Sequence, residues 1–404
     1  MNYQNLLISV DELWLRGKNR GTYVKSLKNH IVAILKALEI KDYQIVNHQQ
    51  RFIISSESSF SQRCLLQLSK VPGIHAIVPS LKFEKDLDLV GSEVCSILEE
   101  KWKEIKDITF KVETQRVDKH YGSTSVEVSK DLGAKILIHF NDKKKLKVKM
   151  KNAEQVISLR IMPDAFYISF EEYLGVGGFP VGTNGKLVSL LSGGFDSPVS
   201  SFLMNQRGCQ NNYIFFYSYP FVGEEVRDKI ISITQKLAQF QKYTSLYIVP
   251  FGEIQKKIAK NCKESYRTIF FRKVMFETAA KLADNIKAEA LITGDSLGQV
   301  SSQTITNLSL MDKFINMSIF RPLIGMTKRN IIEISKRIDI HDISVIPHDD
   351  ACSLFSPKHP VIRSNIKEWN YFCNKNDFSE DINLILEQSE KIGFNCLGEI
   401  IQPK

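Results

Sequence analysis

The run Leu190-Leu-Ser-Gly-Gly-Phe-Asp-Ser-Pro198 constrains this chain more than any other segment. An apolar stretch, Lys186-Leu-Val-Ser-Leu-Leu191, stops abruptly at Ser192-Gly193-Gly194, and a helical pattern then runs from Pro198 to Arg207 and ends at Gly208. The order is strand, glycine turn, helix start. Adjacent glycines let successive backbone N–H groups converge, and a helix start adds unpaired N–H groups at a positive dipole end. Such a turn suits an anion. Ser192 and Ser197 supply hydroxyl donors. Asp196 would repel a phosphate, so it fits better as a magnesium ligand or a helix cap.

The spacing is not that of a Walker P-loop, which needs four residues between its glycines and a Lys-Ser/Thr pair. Ser-Gly-Gly-x-Asp-Ser instead resembles the pyrophosphate loop of ATP pyrophosphatases, enzymes that split ATP between its α- and β-phosphates. A purely structural turn is the competing reading of a glycine pair. The whole string, placed after an apolar strand, favours a nucleotide.

Downstream, Asn212–Tyr217, Ser245–Phe251 and Ala290–Thr293 read as strands, and Arg227–Phe240 and Ile254–Ala283 as helical stretches. This alternation predicts an α/β, doubly wound parallel sheet. Ligands of such sheets sit beyond the strands' carboxyl ends. Three of those ends carry polar or glycine signals: Ser192-Gly-Gly, Tyr217-Ser and Gly294-Asp-Ser-Leu-Gly-Gln299. Asp295 in the last reads equally as a metal ligand or a helix cap. Phe215 and Phe216 offer a flat wall for a base, or serve as core aromatics. Lys328 opens a helical run, where a cation opposes the dipole and calls for an anionic partner.

The chain has 404 residues and a formal net charge of +9. Length predicts two to three domains, and the charge an anionic partner. Basic residues cluster at Arg16-Gly-Lys18-Asn-Arg20 and along Lys143-Lys-Lys145-Leu-Lys-Val-Lys-Met-Lys151. The second cluster alternates Lys with Leu146, Val148 and Met150. That is the period of a strand with one buried and one cationic face, and also of a lysine-guarded edge strand. No stretch reads as a membrane span or a signal peptide. The seven cysteines are scattered without a CxxC pair, which predicts reduced thiols in the cytoplasm.

Four further segments carry a resemblance that spans nearly the whole chain. They are Gly175–Gly185, Gly294–Gln303, Arg321-Pro-Leu-Ile-Gly-Met-Thr-Lys328 and Asp349-Asp-Ala-Cys352-Ser-Leu-Phe-Ser-Pro-Lys358. Together with the loop they resemble the tRNA 4-thiouridine synthetase family, also called the thiamine-biosynthesis sulfurtransferases. Residues 1–60 look like that family's ferredoxin-like domain. Residues 61–172, with Phe110–Arg116 and Ser125–Gly133, look like its THUMP RNA-binding domain, and residues 173–404 like its PP-loop ATP pyrophosphatase domain.

The resemblance implies ATP contacts at Leu190, Leu191, Phe215, Phe216, Arg272, Gly294 and Gln303, which join Ser192, Gly193, Gly194 and Ser197 of the loop. It implies activation through Asp196 and Lys328 and sulfur carriage on Cys352; Mg2+ at Asp196 is the reading of the loop itself. Lys18, Arg20, Arg116, Lys119, Lys143 and Lys145 are the expected RNA contacts. The implied reaction adenylates a tRNA uridine and replaces its 4-oxygen with sulfur from a cysteine persulfide, which a cysteine desulfurase supplies. Members often add a rhodanese domain; a form without one is expected here, with Cys373, Cys396 or an external thiol resolving the intermediate. Rival readings are sulfur transfer to a carrier protein for thiamine thiazole synthesis, an ammonia-using ATP pyrophosphatase, and a non-catalytic RNA-binding protein. His348, Cys352 and His359 make a weak zinc set, with no fourth ligand at matching spacing.

Overall fold

The computed structural model describes residues 1–401 apart from 13–18, 49–50, 142, 348–354 and 356. Its contacts divide the chain into two units: 1–10, 40–69 and 74–175 in one, 11–39, 70–73 and 176 onward in the other.

In chain order, the first elements are β1 (Asn5–Val10), α1 (Arg20–Ala37), β2 (Tyr43–His48), β3 (Arg51–Ser56), α2 (Gln62–Ser69), β4 (Ile74–Phe83) and α3 (Leu87–Lys101). There follow β5 (Asp107–Arg116), α4 (Ser125–Phe140), β6 (Lys145–Val148), β7 (Gln155–Ile161), β8 (Phe166–Ser169) and β9 (Tyr173–Leu174). All but α1 belong to the first unit. Its sheet runs β2-β3-β1-β4-β8-β7-β5-β6, with β9 also on β4. Period-2 patterning sends Phe110, Val112, Ile157, Leu159, Phe166 and Ile168 to one face, where Val94 and Leu98 of α3 and Leu132 and Ile136 of α4 cover them. Each such fully buried side chain contributes about 1.5–3 kcal/mol. A capping box fixes the start of α4: the Thr124 side chain accepts from the Glu127 N–H, and the Glu127 carboxylate accepts from the Thr124 N–H.

β6 departs from the amphipathic strand expected there. It lies at the sheet edge, parallel to β5. Only Leu146 packs on the core, while Val148 and Met150 are exposed. The edge position leaves the far residues nothing to cover them, so the lysine-guarded edge is the reading that holds.

The second unit continues with β10 (Lys186–Leu190), α5 (Asp196–Gln206), β11 (Gln210–Tyr217), α6 (Glu224–Ala238), β12 (Tyr243–Pro250), α7 (Gly252–Asn261), α8 (Arg267–Ile286) and β13 (Ala290–Ile292). It closes with α9 (Ile305–Phe314), β14 (Ser318–Phe320), α10 (Lys328–Arg337), α11 (His341–Ser344), α12 (Ile366–Lys375), α13 (Ser379–Glu387), β15 (Glu390–Asn395) and β16 (Ile400–Ile401). The sheet order is β14-β13-β10-β11-β12-β15-β16. The first five strands are parallel, and β15 and β16 add an antiparallel edge. From β10 the chain winds first toward β12, then returns to β13 on the other side. β10 is therefore the topological switch point.

Both faces of this sheet are buried. Ile214, Phe216 and Val249 pack against α7 and α8, while Tyr213, Phe215 and Ile248 pack against α5 and α6. The helical stretch expected over 254–283 is two helices, broken by a short 3-10 turn at Glu264–Tyr266. The break lets the apolar stripes of both α7 and α8 face the same side of the sheet. Gly208 ends α5 with φ +84°, where a side chain would also strike Thr183 Oγ1 at 2.6 Å. Helix α1 belongs to this unit. Ser26 Oγ donates to the Val181 carbonyl at 3.0 Å, and the Tyr23 ring meets Phe179 edge-on.

Candidate nucleotide site

The expected phosphate loop lies at the switch point. Leu191 N–H donates to the Ile214 carbonyl, extending β10 by one residue before the chain turns. Ser197 Oγ then accepts from Ser192 N–H at 2.9 Å and lies 3.0 Å from Ser192 Oγ, so the two expected hydroxyls tie the loop's ends to each other. Phe195 holds the N-cap position and Asp196 enters the first turn of α5, so Asp196 is not the cap. Ser200 Oγ donates to the Thr293 carbonyl at 2.7 Å, and Ser201 Oγ pairs with Ser189 Oγ at 2.6 Å. These small residues let α5 press onto the sheet. Gly294 completes the approach: a Cβ there would lie 2.6 Å from Ser197 N.

A cavity of about 570 Å³ opens in front of the loop, within the size range of small-molecule sites. All of Leu190, Leu191, Ser192, Gly193, Gly194, Asp196, Ser197, Phe215, Phe216, Arg272, Gly294 and Gln303 line it. Phe215 and Phe216 sit in opposite core clusters and both reach the cavity at the carboxyl end of β11. They serve as core and as wall at once. Thr268, Met275 and Phe276 of α8 also line it, and sequence reasoning missed them. Their signal was present as the helical spacing around Arg272.

Lys328 does not line the cavity; it borders the loop. As the first residue of α10, capped by Thr327, it places Nζ 2.8 Å from both Asp196 oxygens and 4.2 Å from the Phe195 ring centre. Gln299 Nε2 donates to Asp196 Oδ2 at 2.9 Å. The anionic partner that its position at a helix start required is, in this state, a carboxylate.

Asp295 is the site's most buried charge, with 2% of its surface exposed. Its Oδ1 accepts from Arg272 Nη2 at 2.9 Å and Gln303 Nε2 at 3.1 Å; its Oδ2 accepts from Arg272 Nη2 at 2.8 Å, Thr293 Oγ1 at 2.8 Å and Arg321 Nε at 3.4 Å. Burial alone would raise its carboxyl, but Arg272, Thr293 and Arg321 outweigh burial and hold it below the usual carboxylate range. These bonds use the lone pairs a metal would need, so neither the metal-ligand nor the cap reading of Asp295 describes it. Arg321 is spanned between Asp295 and Asp312.

Cys352, His348 and Lys18 lie outside the described residues. Of the remaining thiols, burial pushes Cys396 up to about 11 and also raises Cys373. Among the described residues no group of His, Cys, Asp and Glu is placed to hold a metal, and no helix is long and apolar enough to cross a membrane.

Within the first unit, the four expected RNA contacts Arg116, Lys119, Lys143 and Lys145 fall into two separate pairs. Arg116 ends β5 and donates to the Tyr121 and Ser123 carbonyls, with exposed Lys119 just beyond it. Lys145 pairs with Asp107 at the opposite end of the same strand, beside Lys143, which is bound to Glu99 at 2.6 Å. Ten residues of strand separate the two pairs, about 30 Å. Arg20 belongs to the second unit.

Comparison with known proteins agrees with this architecture. Residues 5–78 match the ThiI ferredoxin-like domain, 84–171 the THUMP domain, and 182–378 the family model described as thiamine biosynthesis protein (ThiI). A Geobacillus kaustophilus protein named "Probable tRNA sulfurtransferase" is 34% identical over 360 residues, covering 89% of this chain and 88% of its own. A Clostridium perfringens protein of the same name is 32% identical, covering 98% and 100%. A crystal structure of a 4-thiouridine synthetase–RNA complex with bound ATP superposes with a TM-score of 0.83 at 28% identity, covering 99% of this chain and all of that one. The α/β PP-loop domain preceded by ferredoxin-like and THUMP domains is the fold that the sequence predicted.

Proposed function

Because this chain belongs to the tRNA sulfurtransferase family, we propose that it is an ATP-dependent enzyme that replaces the 4-oxygen of a tRNA uridine with sulfur. The observation that carries this reading is the Ser192–Ser197 loop at the switch point, facing a cavity of nucleotide size. ATP lies in that cavity with its phosphates on the loop's N–H groups and its base toward Phe215 and Phe216. The uridine O4 attacks the α-phosphorus, and pyrophosphate leaves. Lys328 turns from Asp196 to the departing phosphates, whose growing charge it stabilises together with the loop.

Of the two carboxylates that line the cavity among the described residues, Asp196 is the one whose oxygens are not committed to buried arginines. A hard oxygen donor beside a phosphate loop fits Mg2+, which there would neutralise phosphate charge. Cys352 carries the persulfide whose outer sulfur attacks C4 as AMP departs; a cysteine desulfurase charges it. That attack leaves C4 joined to Cys352 through a disulfide, which a second thiol cleaves, freeing the 4-thiouridine and taking Cys352 into a new disulfide; Cys396 is buried, so half-buried Cys373 or an external thiol suits this step better. The RNA contacts are Lys18, Arg20, Arg116, Lys119, Lys143 and Lys145, spread over residues 1–60 and 61–172. The work takes place in the cytoplasm, where thiols stay reduced.

The test is pyrophosphate release from ATP, measured with and without unmodified tRNA. Release that depends on tRNA supports the reading, and release indifferent to tRNA opposes it. The description of the matched family model also favours a second use of the same chemistry, sulfur transfer to a carrier protein for thiamine synthesis.

A further inference from the structure

Lys229 is a cation buried where charge is costly, with 6% of its surface exposed. It lies on α6, and its Nζ donates to the Ser344 carbonyl at 2.8 Å and the Ile346 carbonyl at 2.7 Å. Ser344 ends α11 and Ile346 lies just beyond it, so the ammonium takes up carbonyls at a helix end, where the helix itself supplies no partner. Stability does not call for this. Val345 and Ile346 are more than half exposed, and water would answer a carbonyl there without the cost of burying an ion. What the ammonium adds is a fixed position for the chain as it leaves α11.

That position relates the nucleotide cavity to the sulfur carrier. Val226, one turn before Lys229 on the same side of α6, lines the cavity. Cys352 follows Ile346 by six residues in sequence and precedes Phe355 by three. From Phe355 onward the chain is held again. The Phe355 ring meets Phe221 edge-on at 5.3 Å, Pro357 and Pro360 line the cavity, and Asn307 Nδ2 donates to the Val361 carbonyl at 3.1 Å. The chain is thus fixed before and after Cys352, and Lys229 sets the first of these points from a helix that walls the cavity. We infer that Lys229 is a positioning residue for sulfur transfer, acting through the chain that leads to Cys352 and touching neither nucleotide nor uridine. The inference rests on the reading of Cys352 as the sulfur carrier. Lys229 then serves the second step of the reaction and leaves the first alone.

The test follows two products from tRNA incubated with the full chain and ATP. Pyrophosphate is measured in a single turnover. 4-Thiouridine is measured with sulfur fed either by a cysteine desulfurase and cysteine or by sodium hydrosulfide. Hydrosulfide bypasses Cys352: its sulfur bonds C4, the C4–O bond breaks, AMP carries the oxygen away, and the proton goes to solvent. Lys229→Met keeps the apolar stem and removes the donors. Pyrophosphate release should stay within about threefold of wild type, while desulfurase-fed 4-thiouridine falls about tenfold or more, the scale of loss that a misplaced reacting group brings. Hydrosulfide-fed 4-thiouridine should equal that of wild type. Lys229→Gln, too short to span both carbonyls, should show the same split, and it covers the case in which Lys229→Met does not fold. A merely structural lysine would lower pyrophosphate and 4-thiouridine together whichever donor is used, which overturns the inference. Undiminished desulfurase-fed 4-thiouridine in both variants overturns it too. A wild type that makes no 4-thiouridine, or a Cys352→Ser chain that makes as much as wild type with the desulfurase, would instead overturn the reading on which the inference stands.

Discussion

Lys328 Nζ sits 2.8 Å from both carboxylate oxygens of Asp196, joining the first residues of two helices 132 positions apart in sequence. The pair keeps an acidic and a basic group together at the mouth of a phosphate loop. On the function proposed above, a nucleotide that takes the lysine would free the carboxylate for a cation, and the two would exchange partners together. Asp196→Ala should reduce tRNA-dependent pyrophosphate release at least a hundredfold and leave tRNA affinity within a few-fold. Both are measured on one preparation, and normal release from the variant would remove Asp196 from the reaction.

Gly294 is the second lever on the loop. A Cβ there meets Ser197 N at 2.6 Å and the Asp196 carbonyl carbon at 2.9 Å, both backbone atoms that cannot swing aside. Gly294→Ala should push the start of α5 away from β13 and weaken ATP binding about tenfold or more. The first unit should fold unchanged, so RNA affinity should hold. Titration of ATP into the variant reads the effect, and unchanged affinity would show that the loop tolerates the shift.

His30 offers a pH signature. It is buried in α1, and burial together with the Lys242 charge pushes its imidazole down from 6.5 to about 4, against a weaker pull from a hydrogen bond to the Gln241 backbone. The unfolded chain therefore binds the proton first as pH falls. Stability contributed by neutral His30 is complete above about pH 6.5 and is lost progressively toward pH 4, for a total of about 3 kcal/mol. Replacing His30 with Gln should flatten that part of the stability-versus-pH curve. Urea unfolding between pH 4 and 7 measures it, and an identical slope in both proteins would count against the burial of a neutral imidazole.

RNA binding through phosphates should weaken steeply with salt. Each neutralised phosphate adds a log–log slope of about −0.7 to −0.9. Because Arg116 and Lys119 lie about 30 Å along β5 from Lys143 and Lys145, alanine at both pairs should lower the slope additively. A slope that the four substitutions leave untouched would place the contacts elsewhere.

The loop and its strand were legible because glycine, serine and aspartate at fixed spacing have few other uses at a strand's carboxyl end. The position of Lys328 at a helix start was legible from its dipole conflict, but its partner Asp196 was not, since nothing local links the two. Asp295 was misread. Its sequence context shows a strand end and a helix-like start, while its role is set by Arg272 on α8 and Arg321 after β14, both brought in by the tertiary fold. The lysine alternation of 143–151 left two readings open for a similar reason. Period 2 reports a strand, but whether its apolar face is covered depends on where the sheet ends.

The measurement that tests the central claim most directly is mass spectrometry of nucleosides from unmodified tRNA incubated with this protein, ATP, magnesium, cysteine and a cysteine desulfurase. We predict ATP-dependent 4-thiouridine with the wild-type chain, and none with Cys352→Ser, whose hydroxyl cannot carry a persulfide. No 4-thiouridine from the wild type, or wild-type levels from Cys352→Ser, would contradict the account.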